Sequence, residues 1–227
     1  MGFSLQNVVP WGRSFEEYVA IFDLSDKDLA CGILDCGDSP AGFNVELSRR
    51  GGRVTSIDPI YAFSGTQIRQ RISDTYDRVM MQMRNNRDQY IWTSIASVDE
   101  LDRMCMSAMD AFLADYVTGK AEARYIAGEL PCLPFADNSF DIALSSHFLF
   151  LYSAHFSEEF HVQALSEMLR ISSEIRVFPL LCLNGKPSPY MGGVMAKLNV
   201  RGFRAEVRSV SYEFQLGTNK MLRVAPG

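Results

Sequence analysis

The sequence predicts an α/β fold in which a mostly parallel sheet is covered by helices on both faces. Three observations lead there. Short β-rich runs alternate with helical patterns, the first run opens through a turn of small residues into a helix, and the second ends on an acidic residue followed by proline. Such alternation sets strands side by side in parallel, with the connecting helices packed on them. A chain of 227 residues, 47% hydrophobic and 22% charged, is long enough to bury one sizeable core, which suits a single domain.

Ile33-Leu34-Asp35-Cys36 reads as the first strand, and Gly37-Asp38-Ser39-Pro40-Ala41-Gly42 as the turn that closes it. A helix carrying Phe43, Val45 and Leu47 follows and stops at Gly51-Gly52. Val54 to Asp58 is the second strand. From Gln67 to Thr118 the chain has no proline and turns helical and charge-rich, which predicts two or more helices inserted after that strand, broken near Asn85-Asn86 and around Thr93 to Val98. Met80, Met83, Met104, Met106 and Met109 read as core packing there, with a lid over a pocket as the alternative. Strand character returns at Arg124 to Ala127 and at Phe140 to Ser146, separated by an irregular stretch from Gly128 to Asn138. Ser157 caps a helix to about Ser173, with Glu159 and Glu167 outward and Phe160, Leu165, Met168 and Leu169 inward. Ile175 to Leu183 is another buried strand, and Tyr190 to Asn199 a short helix stopped by Gly202. Ala205 to Phe214 and Met221 to Val224 pair as a hairpin around Gly217-Thr218-Asn219.

A net charge of -5 gives no general attraction to phosphate backbones or anionic lipid, and the densest basic cluster, Arg49, Arg50 and Arg53, is ordinary helix C-terminal chemistry. No nucleic-acid or membrane partner is expected, and a small-molecule substrate is. Five cysteines, odd in number and without a C-x-x-C pair, fit a reducing compartment. Met1 to Trp11 lacks the basic start and apolar run of a secretory signal, and the most apolar run, Phe148 to Tyr152, is too short to cross a bilayer. A cytoplasmic location follows as the expectation.

The strand-turn-helix-strand-Asp unit carries the chemistry. Small residues at such a turn let a ligand approach the backbone and the positive end of the helix, and Asp58 is placed to accept hydrogen bonds from two ribose hydroxyls. Gly37-x-Ser39-x-x-Gly42 is a degraded dinucleotide fingerprint, so nicotinamide binding is one candidate. Gly37 to Ala41 also resembles a nucleophile elbow around Ser39, but that chemistry needs a histidine late in the chain, and His147, His155 and His161 all precede the last strands. Their spacings do not place two ligands on one helical face, so no metal site is expected.

Leu34-Asp35-x-Gly37 through Phe43, Glu46 to Gly51 and Val54 to Asp58 resemble motifs I and II of class I S-adenosylmethionine-dependent methyltransferases, in particular the methyltransferase type 11-like members. Gly128-Glu129-Leu130 and Leu133-Pro134-Phe135-Ala136-Asp137-Asn138-Ser139-Phe140-Asp141 resemble the segment that family places between its third and fourth strands. The turn departs from the family's D-x-G-x-G-x-G, with Ser39 and Ala41 at the second and third glycines and Gly42 one place later. The resemblance implies a Rossmann-like three-layer αβα sandwich with a seven-stranded, mostly parallel sheet and an antiparallel C-terminal strand. It implies one methyltransferase domain over 1–227, with an N-terminal cap segment 1–30 and a helical insertion at about 67–119.

By the same resemblance the cofactor is S-adenosylmethionine, leaving as S-adenosylhomocysteine. Asp35 and Gly37 would frame its methionine part, with backbone from Cys36, Asp38, Ser39 and Ala41. Asp58 would hold the ribose, Pro59 and Ile60 the adenine face, and Glu129 and Leu130 the adenine edge. Ser145, Ser146 and His147 would lie near the sulfonium. Arg13 would pair with the cofactor carboxylate, and Tyr18 would close the pocket. His147 is the best-placed general base, with Tyr152 and Tyr61 behind it. The acceptor pocket is expected between His147 and the insertion. A non-catalytic S-adenosylmethionine-binding protein and an NAD-dependent oxidoreductase are the alternatives.

Overall fold

The computed structural model describes residues 10–227, so the first nine residues of the 1–30 cap segment lie outside the described residues. Helix α1 (Phe15–Phe22) begins at a capping box in which Ser14 and Glu17 satisfy each other's backbone N–H groups. It buries Phe15, Tyr18, Ile21 and Phe22, the spacing of one helical face. A single turn, α2 (Asp26–Leu29), leads to strand β1 (Gly32–Cys36), helix α3 (Phe43–Arg49) and strand β2 (Arg53–Ile57). Two long helices follow, α4 (Gly65–Asn85) and α5 (Val98–Ala121). They are separated where Asn85-Asn86 and Thr93 to Val98 predict breaks. Next come β3 (Tyr125–Ile126), β4 (Phe140–Ser146), α6 (Glu158–Ile171), β5 (Ser172–Phe178), α7 (Met191–Val200), β6 (Phe203–Ser209) and β7 (Lys220–Pro226).

The seven strands lie in the order β3-β2-β1-β4-β5-β7-β6. Only β7 runs against its neighbours, pairing antiparallel with both β5 and β6. This is the expected Rossmann-like sandwich with one antiparallel C-terminal strand. Side chains alternate across the sheet: Ile33, Ile142 and Leu144 pack under α1 and α3, whereas Leu34, Cys36 and Ala143 pack under α6 and α7. Helices α4 and α5 form their own apolar cluster, in which Met80, Met83 and Met109 are buried. Among the described residues no helix is long and apolar enough to cross a membrane.

Sheet order locates the functional end. The connections from β1 run towards β2 and β3 on one side, while β4 lies on the other side of β1, in register Ile33↔Ile142 to Asp35↔Leu144. Chains leaving β1 and β4 therefore part company, and a crevice opens beyond their C-terminal ends.

Several boundaries differ from expectation for identifiable reasons. The third strand is two residues rather than four, because Tyr125 and Ile126 pair with β2 on one side only. The fifth strand stops at Phe178 rather than Leu183, since Pro179 has no N–H to continue the ladder. Helix α6 ends at Ile171, where Ser172 turns extended and its hydroxyl donates to the Met168 carbonyl. Glu167 does not face outward. It accepts the Leu133 N–H at 2.8 Å and pairs with Arg170, tying down the irregular stretch before β4. Phe160 is only partly buried and stacks on Phe156 with ring centroids 4.4 Å apart.

Candidate functional site

The turn after β1 is left-handed at two places, Gly37 with φ 67° and Ser39 with φ 58°. Gly37 is required twice over, because a Cβ there would come within 2.8 Å of the Phe148 ring. Ser39 adopts a conformation that costs a residue with a Cβ about 1–2 kcal/mol. Gly42 needs no such freedom at φ -80°. It is not a displaced turn glycine, and a Cβ there would make ordinary contact with Ala108 of α5 at 3.4 Å.

Most N–H groups of the turn are already engaged. Gly37 donates to the Ile57 carbonyl, Ser39 to Asp58 Oδ2, Ala41 to the Ser39 carbonyl and Gly42 to the Arg13 carbonyl. Pro40 has none to offer. Around this closed backbone stand three carboxyl groups. Asp35 is fully buried and neither of its oxygens has a hydrogen-bond partner. Asp38 is also buried; its Oδ1 accepts from the Tyr61 hydroxyl at 2.7 Å, and its Oδ2 has no partner. Burial pushes both well above the ordinary carboxyl range and neighbouring carboxylates push further in the same direction, against an opposing pull from the Tyr18 hydroxyl on Asp35 and from Ser56 and Tyr61 on Asp38. Asp58 lies one residue beyond β2 and accepts N–H groups from Ile60 at 2.8 Å and Ser39 at 3.1 Å. Burial outweighs those two bonds and raises it to about 6.

Two cavities meet at the turn, and Gly37 and Ser39 line both. A cleft of about 670 Å³ carries Cys36, Asp58, Pro59, Ile60, Glu129 and Leu130, six of the expected cofactor residues, with Phe148, Phe156 and Phe160 across from them. A smaller chamber of about 110 Å³ holds Arg13, Tyr18, Asp38, Ser146, His147 and Tyr152. Its far wall is Val79 and Met83 of α4, Leu101 of α5, and Tyr90, so it lies between His147 and the helical insertion. The Phe148 ring against Gly37 separates the two spaces. Over the chamber, Ile91 N–H donates to the Phe214 carbonyl at 2.7 Å and Leu216 N–H to the Gln89 carbonyl at 2.9 Å, a backbone seam joining two distant segments.

His147 also has a left-handed backbone, φ 52°, a strain that clusters at functional positions. Its N–H donates to the Phe178 carbonyl at 2.6 Å, and its Nδ1 lies 2.8 Å from Ser146 Oγ. Burial, reinforced by the positive charge of Arg13, holds the imidazole well below its ordinary value, so it is neutral and its protonated form is disfavoured. Arg13 lines the chamber but is not idle. Its Nη1 donates to Glu17 at 2.9 Å and to the Tyr212 hydroxyl at 3.2 Å. Asp35, Ala41 and Ser145 stand behind the cavity walls rather than in them; Ala41 packs in the core with α1, and the Ser145 hydroxyl has no partner. Tyr61 is buried under the turn and lines neither cavity, its one hydroxyl lying 2.7 Å from Asp38 Oδ1 and 2.8 Å from the Ser39 carbonyl. His161 is enclosed by Phe150 and hydrogen-bonded to the Ser157 carbonyl. Sequence reasoning missed Phe148, Tyr90, Tyr212 and Phe214. The aromatic density of 210–214 was the available signal.

No family model matches the chain. It is 32% identical over 220 residues to a protein of Methanocaldococcus jannaschii, uncharacterized protein MJ0045, covering 96% of each chain. The chain belongs to that protein's family. Among solved structures the chain is similar to several at lower identity. An S-adenosylmethionine-dependent methyltransferase from Aquifex aeolicus is 15% identical over 93% of this chain and 88% of its own, with a TM-score of 0.44. The magnesium protoporphyrin IX methyltransferase of Synechocystis with bound S-adenosylmethionine is 13% identical over 94% and 78%, with a TM-score of 0.46. A TehB-like S-adenosylmethionine-dependent methyltransferase from Corynebacterium glutamicum is 15% identical over 94% and 87%, with a TM-score of 0.47. The assignment of the fold rests on the strand order and register above.

Proposed function

We propose that this chain is an S-adenosylmethionine-dependent methyltransferase acting on a small-molecule acceptor, with residues 1–227 as one methyltransferase domain. The observation that carries the reading is the charge of the turn. Its N–H groups at Gly37, Ser39, Ala41 and Gly42 are all spent, and what it brings to the chamber instead is the buried carboxyl of Asp38, whose Oδ2 has no partner, with the carboxyl oxygens of Asp35 behind it. A pyrophosphate would meet repulsion where it needs donors. A ligand carrying a sulfonium and an ammonium group supplies the positive charge and the N–H donors that these oxygens lack. The same feature argues against an NAD-dependent oxidoreductase.

When bound, S-adenosylmethionine supplies a methyl group already activated for transfer. In this reading Asp58 takes the ribose, Pro59 and Ile60 the adenine face, and Glu129 with the Leu130 N–H its edge. Asp35, Cys36, Gly37, Asp38, Ser39 and Ala41 form the cradle for the amino-acid end. Arg13, held by Glu17 and Tyr212, fixes the carboxylate end, while Ser145 and Ser146 border the reacting end. His147 accepts the acceptor's proton where the acceptor has one to lose, with Tyr152 beside it in the chamber wall. The small chamber favours an acceptor of small-molecule size, and the net charge of -5 offers nothing to a nucleic-acid backbone. Five free cysteines are in keeping with a cytoplasmic location.

The modest size of the chamber and the Phe148 partition favour, as a second reading, a protein that binds S-adenosylmethionine without transferring its methyl group. Calorimetric titration with S-adenosylmethionine, S-adenosylhomocysteine and NAD tests the cofactor. Binding of NAD alone would end the proposal. Release of S-adenosylhomocysteine over a panel of small phenols, thiols, amines and carboxylic acids then separates the enzyme from the silent binder.

A further inference from the structure

The lining of the chamber restricts its ligand further than size alone does. Aromatic residues converge there from separate parts of the chain: Trp11 before α1, Tyr90 between α4 and α5, Tyr152 after β4, and Tyr212 and Phe214 between β6 and β7. Their rings are braced from behind. The Phe214 centroid lies 4.9 Å from that of Tyr90 and 5.3 Å from that of Trp92, and Tyr212 meets Phe178 edge-on at 5.9 Å. Between them the wall is aliphatic, with Val79, Met83 and Leu101. Fixed ring faces and edges reward a ligand ring with offset or edge-to-face contact beyond the apolar area it buries, and a saturated ring of the same size forgoes that gain.

The polar lining is local and largely paired. Asp38, Ser146 and His147 stand at the C-terminal ends of β1 and β4, with Ser146 Oγ 2.8 Å from His147 Nδ1. Arg13 is ion-paired with Glu17, and the Tyr212 hydroxyl donates to the same carboxylate at 2.9 Å. Thr218 spends its hydroxyl on the Gln215 carbonyl. An anionic ligand therefore finds the guanidinium already engaged. Burial and Arg13 disfavour positive charge on His147, and they disfavour it equally on a ligand beside that ring. A cavity on the order of 150 Å³ with apolar walls takes one benzene ring. At about 110 Å³ the chamber has room for one ring and not for two.

We propose that the chamber binds an uncharged, single-ring aromatic acceptor, its ring among Tyr90, Tyr212 and Phe214 and its polar substituent towards Ser146 and His147. That this ligand is the acceptor rests on the methyl-donor reading; that the chamber selects such a ring does not.

The test is a ligand-observed NMR titration of the full chain with phenol, cyclohexanol and naphthol, with and without saturating S-adenosylhomocysteine. Phenol should bind saturably and roughly two- to tenfold more tightly than cyclohexanol, the worth of ring-to-ring contact. It should also bind more tightly than naphthol, although naphthol has more apolar surface to bury. Phe214→Leu keeps the wall apolar and removes one ring, and should bring phenol and cyclohexanol within about twofold of each other. Absence of saturable phenol binding, cyclohexanol bound as tightly as phenol, naphthol bound more tightly, or a preference unchanged in the variant overturns the inference. Should Phe214→Leu fail to fold, the order of the three ligands on the native chain decides alone. If S-adenosylhomocysteine does not bind while phenol keeps its preference, the methyl-donor reading falls and the ring site stands.

Discussion

Replacing Asp58 by asparagine should change how stability depends on pH, in a direction fixed by the geometry. The Asp58 carboxyl accepts N–H groups from Ile60 and Ser39, which favour its charged form, but burial prevails and holds it at about 6 against an ordinary 3.8. The folded protein therefore binds this proton more tightly than the unfolded chain does. The associated stability is fully present below the ordinary carboxyl value and is lost as pH rises through about 6. A difference of that size corresponds to roughly 3 kcal/mol, and water in the open cleft reduces it to about 1–2 kcal/mol. Asparagine keeps the shape and cannot titrate; its amide satisfies one N–H and confronts the other, a pH-independent cost of about 1–2 kcal/mol. Urea unfolding of both proteins between about pH 4 and about pH 8 gives the difference curve. The deficit of the variant should be largest at the acid end and shrink as pH rises. A deficit that stays constant across that range, or grows with pH, refutes the assignment of burial as the dominant influence on Asp58.

Gly37→Ala places a Cβ within 2.8 Å of Phe148 at φ 67°, so it should lose about 2–3 kcal/mol of stability by urea unfolding and weaken S-adenosylmethionine binding together with it. Ser39→Gly removes the left-handed penalty at φ 58° and should gain about 1 kcal/mol by the same measurement, with no loss of cofactor affinity. His147→Asn tolerates the left-handed backbone; for an acceptor that must lose a proton it should cut turnover by about 10²–10⁴-fold with cofactor affinity unchanged. Because the imidazole is held well below its ordinary value by burial and Arg13, turnover in the native protein should stay flat on acidification through the ordinary histidine range, and a pH profile that falls by half near about 6.5 would contradict this.

The frame of the sheet was legible because its signals are local. Apolar runs bounded by Gly37 and Gly51-Gly52 place β1, α3 and β2 within a residue or two, and Asn85-Asn86 and Ser157 mark real helix ends. Where pairing partners decide the outcome, the chain does not say. The shortness of β3 depends on its place at the sheet edge, and the end of β5 on what Pro179 denies the ladder. In the site, Asp58, Glu129 and Leu130 share a cleft as their positions implied. The positive φ of His147 and Ser39 is invisible in residue types that usually adopt other conformations. That Asp38 would turn its side chain inward to Tyr61, and Asp35 be buried beside Tyr18 of α1, follows from packing, which no spacing encodes.

The seam over the chamber is made by main-chain groups of Gln89, Ile91, Phe214 and Leu216. A closure built from peptide groups is indifferent to side-chain identity. Tyr90, Phe214 and Gln215 line the space beneath it, and of these the rings of Tyr90 and Phe214 also pack on each other while Gln215 does not share that stack. A change at Gln215 therefore alters the chamber wall while the main-chain bonds of the closure stay as they are.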